Sequence, residues 1–403
     1  MLNKLRNPLY RNSIFLMLSS AVAAGTGFIF WIIAARLYST EDVGLSSAIV
    51  SAMRLLVLLS FLGLDIGFIR YLPEKENKGD FVNSSLTIIG ALSIALSLIF
   101  CLSVDFIAPP LKLIQKYAPI FVLFVLMTAL STFMGQSIFV AFRRAEYTLY
   151  QSTTYLLRIF LLPFLVSFGA IGVFLAFGAG FLLAFIFGIL MISRLIPNYI
   201  PRPRTSREIN DVLHYSFGMY AAKIFESLPN LALPIIVLNM LGAEENAYFF
   251  IAWSVMFFLT MPSRMTGMSY LAECSHDSHR LRDRARESLK FVVTLLFLAI
   301  AGIYLFGDVI LGFFGRQYSE SSFLLLKTLA IGCIPYALSI IYASAMMVKK
   351  KVKEVVAIYG GIAMLTIVLS YLFVIVFGTI GVAYAWIAAN VAVAVGVIVR
   401  VLF

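Results

Sequence analysis

The stretch from Tyr220 to Pro234, Y-A-A-K-I-F-E-S-L-P-N-L-A-L-P, places Lys223 and Glu226 inside an apolar run that is long enough to cross a lipid bilayer. An ionisable group at the centre of a membrane helix costs roughly 2.5 to 3.5 kcal/mol, so such groups face protein or water. Pro229 and the final proline each remove a backbone donor, which membranes permit where the loosened backbone lines a cavity. The stretch therefore predicts a functional element within a membrane span.

The chain as a whole is far too apolar for a soluble protein of its length. Of its 403 residues, 61% are hydrophobic and only 13% are charged, which predicts an all-α polytopic membrane protein. The net charge of +11 then belongs to the loops, and no basic domain is left to bind nucleic acid. Cys101, Cys274 and Cys333 lack a C-x-x-C spacing, so we interpret them as packing residues and predict no disulfide framework, metal site or cofactor.

Apolar stretches of about 20 residues predict about twelve transmembrane helices. The first stretch follows basic residues near the N-terminus, but it is long enough to span, so we interpret it as a helix and not as a signal peptide. The division is least clear between the fifth and sixth stretches. The predicted spans are 14–35, 43–69, 82–107, 117–142, 149–168, 171–193, 212–240, 247–271, 289–307, 323–347, 355–377 and 380–400.

The basic residues are concentrated in every second loop. With the N-terminus on the inner side, the inner segments hold 22 of the 31 Lys and Arg residues and the outer segments hold 5. Short cytoplasmic loops carry such an excess of positive charge. We therefore predict a multi-pass protein of the cell (inner) membrane with both termini in the cytoplasm.

The longest inner connection divides the chain into two halves. Its prolines prevent a helix, which predicts an N-terminal bundle over 1–195, a cytoplasmic linker over 196–211 and a C-terminal bundle over 212–403. Three pairs of segments then match in the same order along the halves. They are L-Y-S-T-E-D-V-G from Leu37 with L-G-A-E-E-N-A-Y from Leu241, Y-L-P-E at 71–74 with Y-L-A-E at 270–273, and F-G-A-I-G-V at 168–173 with F-G-T-I-G-V at 377–382. Six spans per half give both halves one orientation, as expected of a direct repeat.

The motifs R-L-Y-S-T-E-D-V-G at Arg36–Gly44 and L-G-L-D-I-G-F-I-R-Y-L at Leu62–Leu72 resemble the N-terminal region of polysaccharide transporters and O-antigen flippases. These are a branch of the multidrug/oligosaccharidyl-lipid/polysaccharide exporter superfamily, and the resemblance covers essentially the whole chain. It implies two six-helix bundles around a central cavity and a mechanism of alternating access. It also implies a substrate made of an oligosaccharide on a polyprenyl diphosphate, turned from the inner to the outer leaflet.

Four ionisable residues within the spans are candidates for binding such a substrate. Arg54 and Arg158 have no local partner of opposite charge, and leaving both bare would cost together about 5 to 7 kcal/mol. A water-filled cavity or an anionic ligand relieves this cost, because guanidinium groups donate directly to phosphate oxygens. Lys223 and Glu226 stand at i and i+3 and can neutralise each other on one helix face. The alternative for all four is burial in ion pairs or hydrogen bonds between helices.

The repeat also suggests a gate. When Tyr71 is aligned with Tyr270, Asp65 and Arg264 take equivalent positions near the cytoplasmic ends of their spans. We hypothesise that these two residues pair when the inner side closes. Substrate binding by Arg264, or contact of its side chain with lipid headgroups, is the alternative.

Helix-weakening residues occupy matching places in the first and seventh spans. Aligning Ser13 with Ser216 sets Gly25-Thr26-Gly27 opposite Leu228-Pro229-Asn230. Interruptions at corresponding positions of two halves point to a transport site, and ordinary close packing is the alternative. We therefore predict helix breaks at Gly25, Gly27, Pro229 and Pro234.

The sequence favours a flippase for a lipid-linked oligosaccharide, with an ion-coupled multidrug exporter as the alternative. An exporter of organic cations needs a cavity dominated by carboxylates, for which Glu226 alone is thin support. An enzyme is not expected, because the short outer loops offer no D-x-D motif, phosphate-binding glycine loop or catalytic triad. The expected partners are the lipid-linked oligosaccharide, membrane lipids, H⁺ or Na⁺ as a coupling ion and polysaccharide-assembly proteins, but no nucleic acid.

Overall fold

The computed structural model describes residues 8–205, 208–276 and 281–402, and in these ranges the chain forms helices and turns without any β-strand. The chain divides into two compact units, Met1–Tyr220 and Ala221–Phe403. The all-α fold predicted from the sequence is therefore confirmed.

The N-terminal unit consists of helices of very different lengths. A π-helical turn at Met134–Ile138 and a single turn at Phe139–Ala141 extend its fifth main helix. The main helices are α1 (Pro8–Leu37), α2 (Thr40–Ser60), α3 (Leu64–Tyr71), α4 (Lys78–Ile107), α5 (Ala118–Phe133), α6 (Ala145–Thr153), α7 (Leu156–Leu161), α8 (Gly169–Leu195) and the first part of α9 (Glu208–Leu241).

The C-terminal unit takes over α9 after Tyr220 and contains mostly long helices. They are α10 (Ala243–His276), α11 (Leu281–Gly312), α12 (Arg316–Ile331), α13 (Cys333–Val348), α14 (Val352–Phe377) and α15 (Ile380–Leu402).

The number of spans differs from the predicted twelve. In the described ranges, nine helices are long and apolar enough to cross a membrane, and α12 with α13, bent by 40°, can form a tenth. The predicted eighth span lies in α10, a 34-residue helix that is less apolar than those nine. The predicted fifth span, 149–168, is divided between α6, α7 and two 3₁₀ turns. Thr153 and Thr154 donate to carbonyls of the preceding turn, and Pro163 lacks a backbone donor, so the sequence itself opposes one continuous helix there.

The predicted second span is broken at Leu62 and Gly63. Both residues have positive φ, 48° and 83°, and they separate α2 from α3. The end of α2 leaves carbonyl oxygens without partners inside the helix. The hydroxyl group of Tyr220 lies 3.1 Å from the oxygen of Leu58 and 2.9 Å from that of Leu59, so it satisfies them from α9.

Two glycines of the L-G-L-D-I-G motif let α3 approach α9 closely. A Cβ atom on Gly63 would lie 3.0 Å from the Cβ atoms of Ser216 and Tyr220. A Cβ atom on Gly67 would overlap the side chains of Ser216 and Val212. Glycines four residues apart are the usual means by which membrane helices pack at such short distances.

The predicted helix breaks at Gly25, Gly27, Pro229 and Pro234 do not interrupt the helices. α1 runs through both glycines, and α9 runs through both prolines. A proline removes one backbone hydrogen bond, and the turns on either side still hold the helix in a packed membrane protein.

The two F-G-x-I-G-V turns share an unusual backbone conformation. Gly169 has φ 54° and ψ −137°, and Gly378 has φ 62° and ψ −147°. This region of backbone space is almost closed to residues with a side chain. The repeat seen in the sequence is thus a repeat of backbone geometry.

An acidic side chain reaches each of these turns from the first turn of another helix of the same unit, α2 or α10. The carboxylate of Asp42 accepts a hydrogen bond of 2.8 Å from the backbone N–H of Ala170. In the C-terminal unit, the carboxylate of Glu245 accepts a hydrogen bond from the hydroxyl group of Thr379. Each unit therefore ties the first turn of α2 or α10 to its own F-G-x-I-G-V turn.

The predicted linker packs against the N-terminal unit. The buried side chain of Asn83 donates to the carbonyl of Ile200 at 3.0 Å and accepts from the hydroxyl of Tyr199 at 2.7 Å. Burial raises the pKa of Tyr199 to about 12, so its phenol remains a donor near neutral pH. Asp80 pairs with Arg204 at 2.9 Å. The linker is thus held against the N-terminal unit. The predicted division of the chain into two bundles joined by a linker at 196–211 stays a prediction.

Candidate functional site

Arg158, on α7, is only 3% exposed and lies among aromatic rings of the N-terminal unit. Its guanidinium carbon is 5.1 Å from the ring centre of Phe177, 5.3 Å from that of Tyr155 and 5.5 Å from that of Phe30. Nη2 donates to the hydroxyl group of Thr26 at 3.1 Å, and Nε has no hydrogen-bond partner among the described residues. A desolvated cation gains about 2 kcal/mol from such a ring contact, which offsets part of the cost of burying the charge.

Arg54, on α2, adds a second cation to the same ring. Its guanidinium carbon lies 5.6 Å from the ring centre of Phe177, and its side chain is exposed although most of α2 is buried. In the part of the chain that the structure describes, neither arginine forms an ion pair with a carboxylate. We call Phe30, Arg54, Tyr155, Arg158 and Phe177 the arginine cluster.

The arginine cluster is suited to an anion with several oxygens. Two positive charges without a counter-charge repel each other, and the repulsion grows where water is excluded. An anion between them relieves this repulsion and gives the Nε donor of Arg158 an acceptor. Phosphate oxygens match the planar donors of a guanidinium group. Among the described residues, no group of three or more His, Cys, Asp and Glu side chains is placed to hold a metal ion.

A cavity of the C-terminal unit opens beside an ion pair between α9 and α10. Nη2 of Arg264 lies 2.8 Å from Oε1 of Glu226, and both side chains are partly buried. The guanidinium carbon also lies 5.4 Å from the ring centre of Phe257. The cavity beside the pair has a volume of about 30 Å³. We call it the tryptophan cavity, and its aromatic walls include Trp253, Tyr336, Tyr359 and Trp386.

The structure gives Glu226 a partner on another helix. Its carboxylate pairs with Arg264, whereas the sequence spacing indicated Lys223, which is half-buried on α9. Asp65 is buried on α3 of the N-terminal unit, and its backbone carbonyl accepts a hydrogen bond from Ser137. The pairing of Asp65 with Arg264 in a gate stays a prediction, as does substrate binding by Lys223.

The arginine cluster and the tryptophan cavity occupy equivalent places in the repeat. Phe177 and Trp386 each stand nine residues after the first residue of an F-G-x-I-G-V motif. Arg54 and Trp253 each stand 17 residues before the tyrosine of a Y-L-x-E motif. In the N-terminal unit the two positions are in contact through the guanidinium of Arg54 and the ring of Phe177. In the C-terminal unit they are in contact through the indole rings of Trp253 and Trp386, whose centres are 5.4 Å apart. The same scaffold therefore carries a cation in one unit and a second aromatic ring in the other.

Sequence reasoning identified the charged members of both sites but not the aromatic ones. Charges in apolar spans stand out because each is expensive there, whereas aromatic residues are common in any membrane span. The equal distances from the repeated motifs were a signal that could have singled out Phe177, Trp253 and Trp386.

Apolar helices long enough to span a bilayer, with ionisable side chains among them in each of two repeated units, are typical of a polytopic membrane transporter. The chain belongs to the polysaccharide biosynthesis protein family, whose family model matches residues 9–252. Comparison with curated proteins gives no match.

Solved structures of the MOP superfamily share this fold over nearly the whole chain. The lipid II flippase MurJ in an inward closed conformation is 15% identical, with a TM-score of 0.77 over 97% of this chain and 88% of that one. An inward-facing multidrug resistance MATE family transporter is 14% identical, with a TM-score of 0.71 over 96% of this chain and 97% of that one. A MOP superfamily transporter from Pyrococcus furiosus is 15% identical, with a TM-score of 0.66 over 98% of this chain and 94% of that one. At such identities the likeness is one of fold.

Proposed function

We propose that this protein turns a lipid-linked oligosaccharide of the polyprenyl-diphosphate type from the inner to the outer leaflet of the cell membrane. It does so by alternating access, with both termini in the cytoplasm, in the assembly of a cell-surface polysaccharide. The observation that carries the proposal is the arginine cluster, in which two guanidinium groups share the ring of Phe177 and have no carboxylate partner in the described chain.

The diphosphate is the part of the substrate that the arginine cluster recognises. It carries oxygens in several directions, so one phosphate group can accept from each arginine. Arg54 is exposed and makes the first contact, while Arg158 is buried and meets the anion after its water has been shed. A hydrogen bond to a charged group contributes about 1.5 to 3 kcal/mol, so each arginine contributes roughly tenfold to hundredfold in binding.

The alternative of an ion-coupled multidrug exporter is weaker on the same observation. A site for organic cations needs net negative charge, and the arginine cluster repels cations. In the C-terminal unit, the carboxylate of Glu226 is already neutralised by Arg264 at 2.8 Å. A flippase is compatible with coupling to H⁺ or Na⁺ and with contacts to polysaccharide-assembly proteins. We include both as expected partners of this protein.

The proposal is tested with Arg54→Ala and Arg158→Ala in cells that depend on this protein for their surface polysaccharide. Each variant is expected to lower export at least tenfold at an unchanged amount of protein in the membrane. Arg316→Ala is the matched control, because that arginine side chain is 90% exposed and lies outside both sites. Normal export in both cluster variants would contradict the proposal, and a gain of sensitivity to cationic drugs without loss of polysaccharide would support the exporter instead.

A further inference from the structure

Lys327, on α12, places a positive charge on a face of the C-terminal unit that is otherwise apolar. Leu324 and Ile331 stand one turn before and one turn after it on the same side of the helix, and they are 65% and 44% exposed. On the neighbouring helix α11, Leu305 and Phe306 are exposed as well. Large apolar side chains that are exposed in this way on a membrane span contact lipid tails. Lys327 therefore lies on a lipid-facing surface.

Two aromatic rings hold the amine of Lys327. Nζ lies 3.8 Å from the ring centre of Phe323, one turn earlier on α12, and 5.3 Å from that of Tyr304 on α11. Helical side chains lean toward the start of their helix, which explains why the amine lies over Phe323. A Cβ atom on Gly307 would lie 3.0 Å from Cε2 of Phe323, so this glycine lets the ring pack directly against α11. The amine is thus held where α11 and α12 meet.

The charge of Lys327 is not neutralised by a carboxylate. Among the residues that the structure describes, Lys327 forms no ion pair. Glu320, two turns earlier on α12, pairs instead with Arg316 at 2.7 Å. Aromatic rings attract a cation through their faces, but they offer its N–H groups no oxygen acceptor. An anionic oxygen at the lipid-facing surface would therefore stabilise the amine.

The position of Lys327 along α12 brings its amine near the headgroups of a bilayer. α12 begins at Arg316, whose side chain is 90% exposed and marks the aqueous end of the helix. Phe323, which the amine contacts, follows two turns later, about 10 Å along the helix axis. The headgroup region of one leaflet is roughly 5 to 7 Å thick, so the amine lies close to the inner boundary of that region. In the predicted orientation of the chain, this is the outer leaflet.

We propose that Lys327, with Tyr304 and Phe323, forms a binding site for the phosphate group of an anionic phospholipid in the outer leaflet. The ammonium group donates to phosphate oxygens, and the exposed apolar side chains of α11 and α12 contact the acyl chains. A zwitterionic lipid carries its own cation, so it gains less from the lysine than an anionic lipid does. This site is separate from the arginine cluster and the tryptophan cavity, and the inference does not depend on the proposed function.

A fluorophore beside Lys327 reports which lipid lies there. The three native cysteines are buried, so a label on Leu324→Cys reports mainly on this face. The labelled full chain is placed in phosphatidylcholine bilayers that contain a brominated, quenching lipid, which is either phosphatidylglycerol or phosphatidylcholine with the same chains. We expect brominated phosphatidylglycerol to bind beside the label roughly fivefold more strongly than brominated phosphatidylcholine, because one basic residue near the membrane surface contributes about that factor.

Matched variants separate the lysine from the rest of the surface. Lys327→Gln should lower the ratio of the two affinities to about one, whereas Lys327→Arg keeps the charge and should preserve the preference. A label on Leu102→Cys is the control, because Leu102 is 80% exposed on α4 in the other unit, and there the ratio should be about one throughout. Equal binding of both lipids beside Leu324→Cys would overturn the site, as would a preference that Lys327→Gln leaves unchanged. If inorganic phosphate at constant ionic strength removes the preference, the site takes a free anion and the assignment to a lipid fails.

Discussion

At the scale of the residue, Arg158 carries a cost to folding, and its proposed function is to bind an anion. Its guanidinium is buried against three aromatic rings, and its Nε donor has no partner in the part of the chain that the structure describes. Burying an ion without a counter-ion costs several kcal/mol, of which the ring contacts recover only a part. The buried charge therefore lowers the stability of the protein, and a bound anion would offset this cost.

The first prediction compares Arg158→Met with Arg264→Met. Methionine at 158 keeps an apolar side chain of similar length and removes the bare charge, so we expect a gain of about 1 to 4 kcal/mol in the free energy of unfolding together with a loss of export. Methionine at 264 leaves Glu226 without Arg264, so we expect a loss of about 1 kcal/mol, modest because both side chains are partly exposed. Thermal unfolding of the purified proteins measures both. A lower melting temperature for Arg158→Met would mean that the cluster is structural.

The second prediction concerns the shared glycine conformation. A Cβ atom on Gly378 meets no described residue within 4 Å, so Gly378→Ala measures backbone strain alone, about 1 to 3 kcal/mol. A Cβ atom on Gly169 would also lie 2.7 Å from Oδ1 of Asp42, so Gly169→Ala should destabilise more. Gly302→Ala is the control, because Gly302 lies within α11 and its Cβ atom would meet nothing. Equal melting temperatures for all three variants would exclude strain at the turns.

Single residues were predictable from sequence to different degrees. Arg54 and Arg158 could be predicted because a charge in an apolar span is costly wherever it lies. Phe177 was not predicted, because it joins them from α8 through contacts that depend on how distant helices pack. The partner of Glu226 was missed for the same reason, since helical spacing indicates only neighbours on one helix.

At the scale of the element, the continuity of α1 through Gly25 bears on function. The third prediction is that Gly25→Ala keeps normal export, because a Cβ atom there meets nothing within 4 Å and alanine favours a helix by up to about 1 kcal/mol. Since the variant changes no contact, a loss of export would show that transport needs a flexible helix at this place, as the sequence suggested.

The fourth prediction concerns the packing of α3 on α9. Gly67→Ala forces a Cβ atom into the side chains of Val212 and Ser216, which should cost about 1 to 3 kcal/mol. Reducing the opposing side chain in the double variant Gly67→Ala with Val212→Ala should recover part of the melting temperature. Additive losses in the double variant would argue against this contact.

The length of the apolar stretches predicted where the helices lie. It did not predict where the helices are interrupted. The break at Leu62–Gly63 lies in a motif that was noted only for its resemblance to a family, and no helix break was predicted there. The prolines that were expected to break α9 lie inside a continuous helix. Apolar length reports which segments enter the membrane. Whether a given turn opens depends on what satisfies the freed carbonyls, as Tyr220 does for Leu58 and Leu59.

At the scale of the whole molecule, the orientation in the membrane can be tested with added cysteines. The three native cysteines are buried, so a membrane-impermeant maleimide should report mainly on an introduced one. The fifth prediction is that Arg316→Cys reacts in intact cells, whereas Lys351→Cys reacts only after permeabilisation, because the positive charge of its loop places it in the cytoplasm. The reverse pattern would overturn the predicted orientation.

The two F-G-x-I-G-V turns are alike in the two halves of the chain, whereas the residues of the two sites differ. Gly169 and Gly378 adopt one backbone conformation, and an acidic side chain reaches each turn in its own unit. At the equivalent positions of the two sites, however, Arg54 corresponds to Trp253 and Phe177 to Trp386. A gene duplication that preserved the turns and changed the sites implies an ancestor of half this length, whose two copies were interchangeable. The two sites then became free to diverge only after fusion had made the copies distinct.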